Sequence, residues 1–293
     1  MLLQSSLDTQ IANISMLAEH STNARPNSVE EMTQGYRKFL SSCRPAEMDQ
    51  IRLEFGAEIV TEPRRVRRLG SIFTSTPATE LDDLNQLDVF KESENIPPED
   101  LTVLKGGLDA FQGICPAHAG LLQLIISEII VLPSTIANGG STSQALGIIW
   151  ANPSKSWRVV DAMEFLLHEL THHCMFIDEL CNEHYEYKTI LKKQFWSDSA
   201  ILNRARPIDK VLHSIVVSTE ILLLRENLIG HPASPRCHPP SSIMASQLNN
   251  AIGSLWNMAT KNKEVEILKP RALDLLQNCE RLSKKINTSG LEC

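Results

Sequence analysis

The stretch that most restricts how this chain can fold is FLLHELTHHCMFIDEL, residues 165–180. Apolar side chains fill most of its positions and occupy more than one face of a helix, which is typical of a deeply buried helix. Together with the residues before it, this stretch predicts a helix from about 157 to 181. Three histidines and a glutamate lie in the middle of that helix, where an unpaired polar group is costly to bury.

The polar residues of this helix form an HExxH motif, from His168 through Glu169 to His172. Two histidines four residues apart lie on one helix face about one turn apart, so both imidazoles can bind one divalent ion. Glu169 lies about a quarter turn away, where it can contact a metal-bound water or orient a ligand. We therefore predict a metal site with His168 and His172 as ligands and Glu169 as the catalytic residue. A set of hydrogen-bonded core residues is the alternative interpretation.

A catalytic metal site normally has a third protein ligand. Asp178 points away from the histidine face of the helix, and Glu179 lies about 10 Å along the axis from His172, so neither suits that position. His213 is the preferred third ligand, because it lies within the apolar segment VLHSIVVSTEILLL. Glu220, on the same face of that segment, is the alternative. The remaining candidates are Glu183, His184 and Glu186.

Other polar and aromatic residues near the motif are candidates for binding a cofactor or substrate. Arg204 and Arg206 lie in NRARPID, just before the segment that carries His213. An arginine at the mouth of a metal site can bind a carboxylate with two hydrogen bonds. Pairing with a nearby acidic residue at a helix start is the alternative for these arginines. Packing is the default role of Trp196 and Tyr185, and lining a substrate pocket is the alternative.

The remaining pattern predicts a mainly α protein with a small β-sheet, in the α+β class. LGIIWANP, residues 146–153, is short, rich in β-branched residues and closed by Asn-Pro, which predicts a strand. LLQLIISEIIVLP, residues 121–133, fits a buried helix or a strand equally well. IANGGSTSQ, residues 136–144, predicts a loop. Further helices are expected after Arg206-Pro207 and, as a last pair, up to about residue 286.

The chain is expected to have two regions. Residues 61–100 are rich in charge, proline and threonine, so we predict an irregular segment there that acts as a hinge. It would end a mostly helical N-terminal region, 1–100, which precedes a metal-site domain, 101–293. A basic run within it, EPRRVRRLG at 62–70, indicates a solvated or ion-paired face, with an acidic partner as the alternative.

Composition excludes several classes of function. A formal net charge of -7 does not favour a nucleic-acid partner. No apolar run approaches the roughly 20 residues of a membrane helix, so no membrane partner is expected. The seven cysteines include no CxxC pair, and no basic region precedes the first apolar residues. These features predict a reduced, cytoplasmic protein.

A resemblance to a known family covers about residues 146–228. FLLHELTHH, a stretch that includes Trp196, and RARPIDKVLHSIVVSTEILLL together resemble the HExxH-type peptide-modifying proteins of ribosomal peptide natural-product (RiPP) pathways. The resemblance implies an iron(II)- and 2-oxoglutarate-dependent dioxygenase that hydroxylates a side-chain carbon of a ribosomally made precursor peptide. It also implies that His168, His172 and His213 bind Fe(II) and that Arg206 or Arg204 binds the 2-oxoglutarate carboxylate. Residues 1–100 would then bind the substrate peptide.

The HExxH motif is shared with many zinc peptidases, which leaves an alternative open. A cytoplasmic zinc metallopeptidase would use Glu169 as general base on a zinc-bound water and would need no arginine for 2-oxoglutarate. The expected fold around the motif is a zincin-like active-site helix preceded by strands. A non-enzymatic scaffold or peptide-binding protein is a third hypothesis, although an intact HExxH argues against it.

Overall fold

The computed structural model describes residues 7–44, 51–75, 98–134, 137–201 and 204–286. These residues are mainly helical and include a small mixed β-sheet, which confirms the predicted α+β class. They divide into two compact units, one holding the described residues up to Ile177 and the other those from Asp178 onward. The division of roles between residues 1–100 and 101–293 stays a prediction.

The first unit contains the sheet. Its elements are α1 (Leu7–Thr22), α2 (Val29–Cys43), β1 (Glu58–Val60), α3 (Pro63–Ser75), α4 (Pro98–Ile114), α5 (Pro116–Ile125), β2 (Glu128–Val131), β3 (Gly139–Gly140), a 3₁₀ turn (Ser143–Ala145), β4 (Ile148–Ala151) and α6 (Val159–Cys181). The strands lie in the order β1-β2-β4-β3; β1, β2 and β4 are parallel and β3 is an antiparallel edge. The division between the units falls within α6, after Ile177. The helix predicted over 157–181 and the strand predicted in 146–153 are both confirmed.

The apolar run 121–133 holds both elements that its pattern allowed. Helix α5 ends at Ile125, and strand β2 begins three residues later at Glu128. All four residues of β2 are buried, as expected for a parallel strand covered on both faces, so its sequence lacks the alternation that marks a half-exposed strand. This explains why periodicity could not separate helix from strand here.

The prediction that residues 61–100 are irregular is wrong for 63–75, which form α3; residues 76–97 lie outside the described part of the chain. Glu62 accepts hydrogen bonds from the backbone N–H groups of Arg64 and Arg65, which satisfies donors in the first turn. Val66, Leu69 and Ile72 are buried in a cluster with residues of β2 and β4. Their spacing of three residues places one apolar stripe on the sheet. The many charged residues of the opposite face mask that stripe in the sequence.

Arg65 shows that the basic run is ion-paired in part. Its guanidinium contacts Glu58 at 2.8 Å and Glu128 at 3.3 Å. Arg44 also bonds to the buried carboxylate of Glu128. The structure therefore agrees with the ion-paired interpretation for this one arginine.

Arg37, on α2, joins distant parts of the first unit. Its side chain is fully buried, and its guanidinium donates to the carbonyls of Gly56 (3.2 Å), Gln123 (3.0 Å) and Ile126 (2.8 Å). A longer contact of 3.4 Å reaches the carbonyl of Ile125. The end of α5 thus has its unpaired carbonyls satisfied by a side chain from α2. Burial lowers the pKa of Arg37 to about 10.

The second unit is built on helices. After the end of α6, its elements are α7 (Tyr187–Ile190), a 3₁₀ turn (Lys193–Phe195), β5 (Ser197–Asp198), β6 (Ala205–Arg206), α8 (Ile208–Leu224), a π-helical turn (Arg225–Ile229), α9 (Ser241–Lys261), a 3₁₀ turn (Lys263–Val265) and α10 (Pro270–Ser283). Helices α8, α9 and α10 pack against one another. The helix start after Pro207 and the last pair of helices are confirmed.

Two further findings concern the described residues as a set. Their six cysteines are free thiols, and Cys293 lies outside this set. None of their helices is both long and apolar enough to cross a membrane.

Candidate metal centre

His168 and His172 meet on one face of α6, as predicted. Their Nε2 atoms are 3.1 Å apart, and their ring centroids are 4.8 Å apart. Bonds from zinc to histidine nitrogen are about 2.0–2.1 Å long, so one ion can reach both Nε2 atoms. Both residues are only partly buried on a helix whose other central residues are mostly buried. The pair therefore fits a divalent metal ion.

Glu169 lies beside this pair in a buried position. One carboxylate oxygen, Oε2, accepts a hydrogen bond of 2.6 Å from the Ser141 hydroxyl. The other, Oε1, is 3.9 Å from Nε2 of His168. Burial raises the pKa of Glu169 to about 8, and the Ser141 hydrogen bond offsets only part of that rise. Glu169 is thus a titratable group that the Ser141 hydrogen bond fixes in place next to the predicted metal ligands.

The antiparallel edge strand β3 brings Ser141 to Glu169. Gly139 and Gly140 pair with the end of β4, and Ser141 follows directly. A Cβ atom on Gly139 would lie 2.3 Å from the ring of Phe165 on α6, so only glycine allows this close approach. The prediction of a loop over 136–144 is wrong for this glycine pair, and Ser141 was not among the predicted site residues. The Gly-Gly doublet was the only local signal, since two residues are too few to show alternation.

His173, the third histidine of the segment, has a structural role. It is fully buried; its Nδ1 accepts from the Gly147 N–H at 3.4 Å, and its Nε2 donates to the Ile148 carbonyl at 3.3 Å. Burial lowers the pKa of His173 to about 4, so the neutral ring that these two bonds require is the stable form. His173 therefore joins α6 to the start of β4 through these two hydrogen bonds.

His213 and Glu220, the two candidates for the third ligand, lie on α8 in the second unit. His213 is 4% exposed, and its Nε2 is 2.6 Å from Oε1 of Glu179. Glu179 also accepts a hydrogen bond of 2.9 Å from the Tyr187 hydroxyl. Burial raises the pKa of Glu220 well above its usual range. Among the described residues, no group of three or more His, Cys, Asp or Glu side chains is arranged to hold a metal, so the third ligand stays a prediction.

Asp178 and His184 form a buried ionic cluster with Arg271. The carboxylate of Asp178 is 2.9 Å from His184 Nε2 and accepts two bonds from Arg271, at 2.8 and 3.1 Å. Burial alone raises the pKa of Asp178, but the bonds to His184 and Arg271 outweigh it and lower the pKa to about 2. Of the other minor candidates, Glu183 is exposed and Glu186 is partly buried.

The predicted cofactor and pocket residues lie in the second unit. Arg206 forms part of β6 and is partly buried, whereas Arg204, just before it, is exposed. Tyr185 is buried, and its hydroxyl has no hydrogen-bond partner among the described residues. Trp196 is partly buried, with Lys193 Nζ 5.8 Å from its ring centroid. Their roles in binding 2-oxoglutarate or a peptide stay predictions.

Comparisons with known proteins give no family for this chain. Neither a protein-family model nor a curated protein matches it. The case for its function therefore depends on the geometry around His168, Glu169 and His172.

Proposed function

We propose that this protein is a metal-dependent enzyme in which His168 and His172 bind a divalent ion. We further propose that the ion is iron(II) and that the enzyme is a 2-oxoglutarate-dependent hydroxylase of a side-chain carbon in a ribosomally made peptide. The observation that carries the proposal is the 3.1 Å separation of the two Nε2 atoms on one helix face. The resemblance of residues 146–228 to HExxH-type peptide hydroxylases supplies the choice of cofactor and substrate.

The ligand set of this proposal combines structure and sequence. His168 and His172 supply two imidazoles, and the sequence prediction names His213, with Glu220 as the alternative, as the third ligand. Three protein ligands leave positions open on iron(II) for 2-oxoglutarate and O₂, whose reaction supplies the oxidising power for hydroxylation. Arg206 or Arg204 would bind the carboxylate of 2-oxoglutarate. The strands that precede α6 support a zincin-like arrangement of this helix.

Glu169 has a positioning role in this proposal. The Ser141 hydroxyl binds Oε2, which fixes the orientation of the carboxylate while Oε1 faces the side of His168. A fixed carboxylate next to a metal ligand orients that ligand or a bound water. Apolar neighbours around α6 restrict solvent on the buried side of the site, which limits side reactions.

A cytoplasmic zinc metallopeptidase is the second candidate, and one observation favours it. Oε1 of Glu169 is 3.9 Å from Nε2 of His168, so this carboxylate can contact a water bound to the same ion. In that chemistry Glu169 would act as general base on a water held by the zinc ion. Replacing Glu169 by Gln separates the candidates, because a peptidase should lose about 100-fold or more of its turnover, whereas a hydroxylase should keep a measurable part.

The first experiment is an anaerobic optical titration of the metal-free protein with Fe(II) and then with 2-oxoglutarate. We expect a new visible charge-transfer band when 2-oxoglutarate chelates the bound iron. The band should be absent in His168→Ala and weaker in Arg206→Ala. His118→Ala, a change on α5, is the matched control and should keep the band. Absence of the band in the wild type, together with one retained zinc per chain and Glu169-dependent peptide cleavage, would establish the peptidase instead.

A further inference from the structure

The second unit contains a hydrogen-bonded chain of a serine, a histidine and a glutamate. The Ser241 Oγ is 2.8 Å from His231 Nδ1, and His231 Nε2 is 3.0 Å from Oε2 of Glu226. A carboxylate can only accept hydrogen bonds. The imidazole proton is therefore on Nε2, and this N–H donates a hydrogen bond to Glu226. Nδ1 is then an acceptor, and the Ser241 hydroxyl donates to it. This is the order of nucleophile, base and orienting carboxylate found in serine hydrolases.

The position of Ser241 favours negative charge on its oxygen. Ser241 is the first residue of α9, a helix of 21 residues, and the N–H groups of a first helical turn have no partners within the helix. The helix dipole adds a partial positive charge at the same end. Arg225, whose side chain is fully buried, donates from Nη1 to the Ser241 Oγ at 3.1 Å and to the Pro239 carbonyl at 2.8 Å. These contacts therefore favour the deprotonated, nucleophilic form of the Ser241 hydroxyl.

The backbone before Ser241 has an unusual course that assembles the cluster. Helix α8 continues into one π-helical turn, Arg225–Ile229, which carries Glu226. Gly230 follows with φ of +75°, a conformation that side chains disfavour, and turns the chain so that His231 returns to Ser241. Single π-helical turns are rare and are found frequently at functional sites.

Exposure limits what can reach the serine. Ser241 is 4% exposed, whereas the side chains of His231 and Glu226 are 17% and 28% exposed. Two apolar residues near the cluster in sequence, Leu228 and Ile243, are substantially exposed. The low exposure of Ser241, next to the partly exposed His231 and Glu226, suits an ester with a small acyl group.

We propose that Ser241, His231 and Glu226 form a hydrolytic site for esters of small carboxylic acids, which does not depend on a metal ion. Ser241 Oγ forms a bond to the carbonyl carbon while its proton passes to His231 Nδ1. The ester C–O bond then breaks, and the leaving alcohol takes that proton from Nδ1. Water repeats the two proton transfers on the acyl-serine, which releases the acid and restores the serine hydroxyl. Glu226, which accepts the hydrogen bond from His231 Nε2, orients the ring and stabilises the imidazolium.

The test uses the full-length protein in EDTA, which removes divalent ions and so prevents metal-dependent activity. A fluorophosphonate probe should label one serine per chain, located at Ser241 by peptide mapping, and 4-nitrophenyl acetate should release a burst of about one 4-nitrophenolate per chain. We expect Ser241→Ala to abolish labelling and His231→Gln to slow it by about 100-fold or more. Glu226→Gln should slow it less and shift the pH profile of labelling.

Ser242→Ala is the matched control, because Ser242 is the next residue of α9 and only partly buried. It should be labelled at the wild-type rate. The proposal is overturned if the folded wild-type protein takes up no probe, if the probe maps to Ser242, or if His231→Gln leaves the rate unchanged. Probe labelling and 4-nitrophenolate release do not involve iron or zinc. Their outcome is therefore independent of whether the proposed metal site exists. The wild-type measurement decides the question even where a variant fails to fold.

Discussion

His168 and His173 are five residues apart on α6 and differ in what surrounds their rings. The side chain of His168 is 18% exposed, whereas His173 is fully buried. Both ring nitrogens of His173 bond to the backbone at the start of β4, so this ring has no nitrogen left for a metal. The role of His173 could not be predicted from the sequence, because that role depends on contacts with Gly147 and Ile148.

The paired carboxylate of Asp178 stabilises the folded protein in a pH-dependent way. Its pKa is about 2 in the folded protein and about 3.9 when unfolded, a difference equivalent to about 2.5 kcal/mol. Because the folded pKa is the lower one, this stability is present above about pH 4 and is lost as the pH falls through 2. Asp178→Asn should therefore lower the free energy of unfolding by about 2–3 kcal/mol at pH 7, and the difference should shrink towards pH 2.

Urea unfolding followed by circular dichroism at pH 7, 4 and 2.5 measures this difference. Asp274→Asn, a change of an exposed aspartate on α10, is the control and should alter stability by less than about 0.5 kcal/mol. A gap between wild type and Asp178→Asn that stays constant across this pH range would contradict the assignment of Asp178 as an ionised, paired carboxylate.

At the scale of elements, the turn into β4 depends on Gly147. Its φ is +80°, and a Cβ atom there would lie 2.6 Å from Leu40 Cδ1 on α2. Gly147→Ala should therefore destabilise the protein by about 1–3 kcal/mol through backbone strain, with the contact adding to that cost. The matched change is Gly120→Ala within α5, where nothing lies within 4 Å of the new methyl group and where alanine should add up to about 1 kcal/mol. Thermal melts of the two variants should move in opposite directions.

The elements also show what the sequence could predict. Helix α6 and strand β4 were predictable, because one is long and apolar and the other is short, rich in β-branched residues and closed by Asn-Pro. Helix α3 was missed, because its many arginines outweighed a three-residue apolar stripe that only packing on the sheet reveals. Strand β3 was missed, because its two glycines show no pattern until β4 lies beside them. Local signals thus sufficed for long elements and failed for elements defined by a partner.

For the molecule as a whole, metal binding should raise the melting temperature. An ion that binds the folded protein at 100 times its Kd adds about 2.7 kcal/mol, which is roughly 5 °C for a chain of this size. We expect Zn(II) to raise the melting temperature by that amount relative to EDTA, and to have no such effect on the double variant His168→Ala, His172→Ala. The same rise in the double variant would show that zinc binds elsewhere, for example to the free thiols.

Part of the candidate metal site could be predicted from the sequence, and part depends on tertiary structure. HExxH carries its own geometry, because a helix fixes the spacing of residues four apart, so the pairing of His168 and His172 followed from sequence alone. Ser141 comes from a distant edge strand, and the Ser241 cluster joins a π-helical turn, a loop and a helix start. Such sites are set by tertiary structure, and no spacing rule in the sequence marks them.

The burial of Arg37 has a consequence for the order in which the chain is made. Its strongest acceptor, the carbonyl of Ile126, is 89 residues later in the sequence. At about 5–20 residues per second, the ribosome needs roughly 4–18 s to add those residues. Until those residues are made, the buried position of Arg37 on α2 lacks most of the carbonyls that accept its hydrogen bonds. The N-terminal helices therefore cannot complete their packing during early synthesis. A fragment ending at residue 100 would lack the carbonyls of Gln123, Ile125 and Ile126. The Arg37 guanidinium would then have no acceptors for these hydrogen bonds.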